Sequence, residues 1–159
     1  MAAASRSGTC RILLVSYPRT GSTALHAVLS ALLPGEPTVV HEPFRTQFSP
    51  EQRHFDEALD DIVEHADIVK HHPGNLLSER QNRLLYEQWS ERGGYIVHLR
   101  RRDTLAQARS LVVARGLNSY HRPHRVGSMP DDRVAAEHAE LRREIESQTR
   151  VENEFEHVE

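Results

Sequence analysis

The opening of the chain limits its fold more than any other segment. Arg11 to Ser16 (RILLVS) is a short apolar run with β-forming character, and Tyr17 to Thr23 (YPRTGST) follows it at once as a turn-rich stretch. Ala24 to Leu33 (ALHAVLSALL) then reads as a helix, closed by Pro34-Gly35. A run apolar at successive positions suits a strand covered on both faces, because an alternating pattern would leave one face to water. Strand, glycine-containing loop and helix in immediate succession are the start of a layered α/β unit.

The alternation continues. Val39-Val40 end a short strand that delivers His41-Glu42-Pro43-Phe44 to the loop after it. Ser49-Pro50 reads as an N-cap with proline at the first helical position, and the helix runs to about Ala66 with Phe55, Leu59, Ile62 and Val63 on one face. Asp67 to His71 (DIVKH) is a second central strand. Ser78 and Gln81 form a capping-box pattern at the head of a helix that ends at Gly93-Gly94. Tyr95 to Leu99 (YIVHL) is a third strand, and Thr104 to Arg115 a helix stopped by Gly116. After a loop from Leu117 to Pro130, Asp131 caps a last helix with a thin apolar stripe of Val134, Leu141 and Ile145. The expected fold is a three-layer, P-loop-like α/β domain with a mainly parallel sheet flanked by helices. It takes in residues 11–159, with 130–159 as the C-terminal helix and 1–10 as a flexible tail. Ligands of such sheets bind at the carboxyl ends of the strands.

Composition narrows the class. With 159 residues and a formal net charge of -3, nothing points to nucleic acid as a partner. The single cysteine, Cys10, allows no internal disulfide and fits a reducing, cytoplasmic setting. The early apolar run is too short for a signal sequence or a membrane span. The C-terminal helix is open to self-association.

Two segments carry chemistry. Ser16 to Thr23 lies over the phosphate-loop pattern G-x-x-x-x-G-K-[ST], but Ser16 takes the place of the first glycine and Ser22 that of the lysine. Thr23 keeps the hydroxyl, and Arg19 within the loop keeps a cation. Backbone N–H groups and a helix N-terminus would face an anion there; an ordinary strand-to-helix turn is the plainer alternative. After YIVHL, the chain runs into Arg100-Arg101-Arg102 where a magnesium-dependent nucleotide enzyme needs an acidic residue. Ser110 lies eight positions beyond Arg102, two helical turns along, where its hydroxyl could share an anion with that guanidinium. Positive charge at a helix start is unfavourable without an anion, which weakens the alternative of a merely solvated basic cluster.

Together, YPRTGST at Tyr17–Thr23 and the Arg102-to-Ser110 spacing within RRRDTLAQARS resemble the sulfotransferases that use 3'-phosphoadenosine 5'-phosphosulfate (PAPS). With HEPF at His41–Phe44, the wording is most similar to the bacterial trehalose and glycolipid branch. The similarity covers roughly residues 11–115, in the right order. The chain is short for that family and lacks its late glycine-rich loop, so either a minimal or a truncated form is expected.

The resemblance implies that Arg19, Thr20, Gly21, Ser22 and Thr23 hold the 5'-phosphosulfate of PAPS and that Arg102 and Ser110 hold the 3'-phosphate, with no metal. It implies a hydroxyl acceptor on a carbohydrate or glycolipid. Glu42 is the expected general base, with His72 as the rival, and Arg19 the group that stabilises the leaving oxygen. Burial would raise the pKa of Glu42 and Arg19 would lower it; the residues alone do not decide between the two. His71 and His72 read equally as polar residues at a strand end. The basic run His121 to Arg125 (HRPHR) suits an anionic or sugar acceptor, or plain solvation. The alternatives are a P-loop small-molecule kinase, against which Ser22 and the arginine-ended strand speak, and a non-catalytic nucleotide-binding homologue.

Overall fold

A computed structural model describes residues 10–44, 52–75, 78–116 and 131–156. Residues 1–9 of the expected tail, the Ser49-Pro50 cap, and the 117–130 loop with its HRPHR run lie outside these.

Four strands form one sheet: β1 (Ile12–Ser16), β2 (Val39–His41), β3 (Ile68–His71) and β4 (Tyr95–Leu99). Their order is β2-β3-β1-β4, and every pairing is parallel. The helices are α1 (Ser22–Leu32), α2 (Gln52–His65), α3 (Glu79–Glu91), α4 (Thr104–Gly116) and α5 (Asp131–Glu156). A single 3-10 turn, Pro73–Asn75, follows β3.

The pleat separates two faces. Leu13, Val15 and Val69 point into a core with Phe55, Leu59, Ile62 and Val63 of α2 and Leu85, Tyr86 and Trp89 of α3. The alternate residues Leu14 and Ile68 are also fully buried, and α1 packs on β1 and β3. Lys70 of β3 lies on this α1 side and reaches Thr23. Helix α5 packs on α4 and α3, and its Leu141 and Ile145 cluster with Tyr17 and Ala108. The sparse apolar stripe of α5 therefore has a partner.

Helix boundaries shift for local reasons. α1 begins at Ser22, two residues earlier than the sequence suggests. Gly21 adopts φ 91°, which a Cβ would disfavour, and its carbonyl accepts from the N–H groups of Ala24 and Leu25. The residues expected to lie in the loop, Ser22 and Thr23, are thus the first turn of the helix. α3 begins after Ser78, whose hydroxyl accepts from the Gln81 N–H as the capping pattern predicts. At Gly94 a Cβ would stand 2.2 Å from the Trp89 indole nitrogen, so only glycine lets the chain turn under that ring into β4.

Register sets the level of the strand ends. Ser16 is level with Leu99, Val15 with His71, and His41 with Lys70. The residues that follow, Tyr17, Glu42, His72 and Arg100, therefore leave the sheet along one edge.

Candidate functional site

Lys70 is the centre of that edge. It is the lone charge within a four-residue central strand and is only 3% exposed, so its ammonium needs partners. Its Nζ donates to Glu42 Oε1 at 2.7 Å, to Thr23 Oγ1 at 3.1 Å and to His41 Nε2 at 3.1 Å. One amine thus joins the first-loop motif to the HEPF segment.

Glu42 is placed by its backbone. Its N–H donates to the Lys70 carbonyl at 2.8 Å, and its φ of 50° turns the chain out of β2. His72 lies on its other side, with Nε2 2.9 Å from Glu42 Oε1. His72 Nδ1 stands 2.6 Å from the Ser16 carbonyl. Ser16 Oγ lies 3.3 Å from the same nitrogen, so His72 stands between the end of β1 and the Glu42 carboxylate. The hydrogen bond from His72, foremost, and that from Lys70 hold the Glu42 carboxyl well below the usual carboxylate range, against burial, which pulls it up. The competition expected between burial and Arg19 is instead one between burial and the hydrogen bonds from His72 and Lys70.

His71, adjacent in sequence, has a different place. It is fully buried, its Nε2 donates to Asn82 Oδ1 at 2.8 Å, and its ring meets Phe44 and Tyr86 edge-on. Burial pushes its pKa down to about 4. It is a core residue on the far face of β3 from Lys70.

The first loop is braced from α4 and α5. Arg19 Nε donates to Ser110 Oγ at 2.8 Å, and Gln107 Nε2 donates to the Pro18 carbonyl at 2.6 Å. Thr20 Oγ1 donates to the Tyr17 carbonyl at 2.9 Å, and Tyr17 Oη donates to the Glu144 carbonyl at 3.0 Å. Arg19 has φ 66°. Ser22 is buried and Thr23 exposed at the head of α1, whose first turn carries no acidic side chain. The N–H groups there have no intrahelical acceptor and the helix dipole is positive, which suits an anion.

Thr20 to Thr23, Arg19, Glu42 and His72 thus gather at the carboxyl ends of β1, β2 and β3. Ser110 joins them through Arg19. Arg102 is exposed in the connection between β4 and α4, one residue before Asp103, whose carboxylate accepts from the Ala106 N–H. Ser110 therefore meets Arg19, and Arg101 reaches the Arg19 carbonyl at 3.5 Å. Sequence reasoning passed over Lys70, His41, Gln107 and Glu144. For Lys70 a signal existed: a lysine inside an otherwise apolar central strand is rarely buried without a partner.

No protein-family profile, curated protein or solved structure matches the chain. No helix among the described residues is long and apolar enough to cross a membrane.

Proposed function

We propose that the chain transfers a sulfuryl group from PAPS to a hydroxyl of a carbohydrate or glycolipid acceptor, in a P-loop-like α/β domain. The observation that carries this reading is the meeting of the YPRTGST loop and the HEPF segment at Lys70, 3.1 Å from Thr23 and 2.7 Å from Glu42. Anion-binding N–H groups and a carboxylate share one strand edge, as group transfer to a hydroxyl requires.

In this reading Arg19, Thr20, Gly21, Ser22 and Thr23 receive the phosphosulfate. The acceptor oxygen forms a bond to sulfur while the bond from sulfur to the bridging oxygen breaks. The electron pair passes to that oxygen, where Arg19 and Lys70 stabilise it. The acceptor proton passes to Glu42. His72 orients Glu42 through its 2.9 Å contact with Oε1. Arg102, with Ser110 turned from Arg19, receives the 3'-phosphate.

Calorimetry with adenosine 3',5'-bisphosphate, AMP and ATP, followed by transfer of labelled sulfate from PAPS to a panel of hydroxyl acceptors, tests the proposal. Preference for the bisphosphate and metal-independent transfer support it; equal affinity for AMP overturns it. One observation favours a second reading, a small-molecule kinase: Lys70 brings to Thr23 the cation that the loop lacks at Ser22. Activity abolished by EDTA and restored by Mg²⁺ with ATP would establish that reading instead. Bisphosphate binding with no transfer to any acceptor would mark a non-catalytic homologue.

A further inference from the structure

A fourth element reaches the site. Ser16 and His72 touch where β1 and β3 end, and α5 is fastened to both chains just beyond that contact. On the β1 side, Tyr17 donates its phenolic hydrogen to the Glu144 carbonyl at 3.0 Å. On the β3 side, the Glu144 carboxylate lies against Gly74, two residues after His72; a Cβ on Gly74 would stand 3.3 Å from Glu144 Oε1. Leu141 and Ile145, flanking Glu144 on α5, pack with Tyr17 and fix the helix in this position.

The Glu144 carboxylate is costly where it stands. It is half-buried, and among the described residues no cation forms an ion pair with it. Burial, with Glu140 next, pushes its pKa up; Arg115 opposes this, Glu137 adds to it, and His72 acts in the opposite sense. Gly74, against which this carboxylate lies, follows His72 by two residues. A partly buried carboxylate without a close ion pair lowers stability, so its packing alone gives no account of its presence.

We propose that Glu144 forms the acceptor-side wall of the site and selects a neutral or cationic polyhydroxylated acceptor over an anionic one. This inference rests on the sulfuryl-transfer reading above. The phosphosulfate occupies the loop at Arg19 to Thr23, so the acceptor enters from the side of Glu42 and His72, which Glu144 borders. Its carboxylate accepts hydrogen bonds from acceptor hydroxyls other than the one that reacts. The same negative charge repels a carboxylate or sulfate on the acceptor, and such like-charge contact in a partly desolvated site discriminates strongly.

The test uses three matched acceptors, methyl glucoside, methyl glucuronide and methyl glucosaminide, with the full chain and its Glu144→Gln and Glu144→Lys variants. The wild type is expected to favour the neutral and cationic acceptors over the anionic one by about tenfold or more in kcat/KM. Glu144→Gln should erase most of that preference, chiefly through KM, and Glu144→Lys should reverse it. Adenosine 3',5'-bisphosphate binding should change less than about twofold in either variant, on the scale of an uninvolved surface position. An unchanged ranking in Glu144→Gln overturns the role of Glu144 and leaves sulfuryl transfer standing. Should Glu144→Lys not fold, the near-isosteric Gln variant still decides. A wild type that transfers to no acceptor overturns the underlying reading, and this inference with it.

Discussion

Arg19 and Glu42 are the two non-glycine residues among those described that take a positive φ, 66° and 50°, and they stand at the ends of β1 and β2 on the same edge of the sheet. An L-residue in this region costs about 1–2 kcal/mol, so each persists only because its surroundings enforce it. For Arg19 these are Ser110 on its guanidinium and Arg101 on its carbonyl. For Glu42 they are the Lys70 carbonyl and ammonium. Strain at both residues of the proposed transfer pair is consistent with a site in which placement matters more than local comfort.

Strain at Arg19 separates stability from activity. Arg19→Gly and Arg19→Ala both remove the guanidinium, but only glycine relieves the backbone. Urea unfolding should find the Gly variant more stable than the Ala variant by about 1 kcal/mol. Both should lose most sulfuryl transfer, because the lost interaction strengthens as charge develops on the leaving oxygen. Equal stabilities would show that this backbone is not strained.

Lys70 carries the packing of the whole edge. Removing one member of a buried ion pair leaves the other without its counter-charge, so Lys70→Met should destabilise by about 3 kcal/mol in urea unfolding. The double variant Lys70→Met with Glu42→Gln should recover part of that loss, because the orphaned charge is gone. Additive losses would mean that the 2.7 Å contact contributes little.

The sequence made the scaffold readable. Ile12–Ser16 and Tyr95–Leu99 are strands where runs of apolar residues place them, and the Ser78 cap stands where its pattern puts it. Glu42 at a strand end was readable because HEPF follows two valines. What could not be read was lateral. That Lys70 would find Glu42 and Thr23 depends on β3 lying between β1 and β2. That Ser110 would face Arg19 depends on how α4 lies against the loop, which an eight-residue spacing from Arg102 does not encode. Glu144 was invisible because α5 is polar nearly all round; its role depends on the packing of Leu141 and Ile145 under Tyr17.

His71 should make the fold sensitive to mild acid. Its folded pKa, about 4, lies below the ordinary 6.5, so the folded state holds the neutral ring. That stabilisation is complete above pH 6.5 and is lost as pH falls toward 4. Glu42, whose carboxyl is also held below its ordinary value of 4.5, adds a second loss that begins near pH 4.5 and continues downward. Urea midpoints measured from pH 7.5 to 4.5 should therefore fall in the wild type. His71→Gln, which keeps an N–H donor toward Asn82, should be flatter over that range. An equally steep wild type and variant would place the acid sensitivity elsewhere.

Glu42 and His72 should behave as one catalytic unit with unequal members. His72 lies 2.9 Å from Glu42 Oε1 and 2.6 Å from the Ser16 carbonyl, so it is placed to position the carboxylate. Glu42 has the basic oxygens, although the hydrogen bonds from His72 and Lys70 weaken them. Glu42→Gln keeps the shape and removes the basicity; it should lower kcat about 10²–10⁴-fold while leaving nucleotide binding nearly unchanged. His72→Asn should cost less, since Lys70 still holds the carboxylate. With the hydrogen bond from His72 gone, Glu42 becomes a stronger base, so the acid limb of the pH–rate profile should move to higher pH. The double variant should be no slower than Glu42→Gln alone, because the role of His72 is exercised through the carboxylate. A His72→Asn variant that is inactive beside a nearly normal Glu42→Gln would make the imidazole the base, and the resemblance of HEPF to the glycolipid branch would then have pointed to the wrong residue.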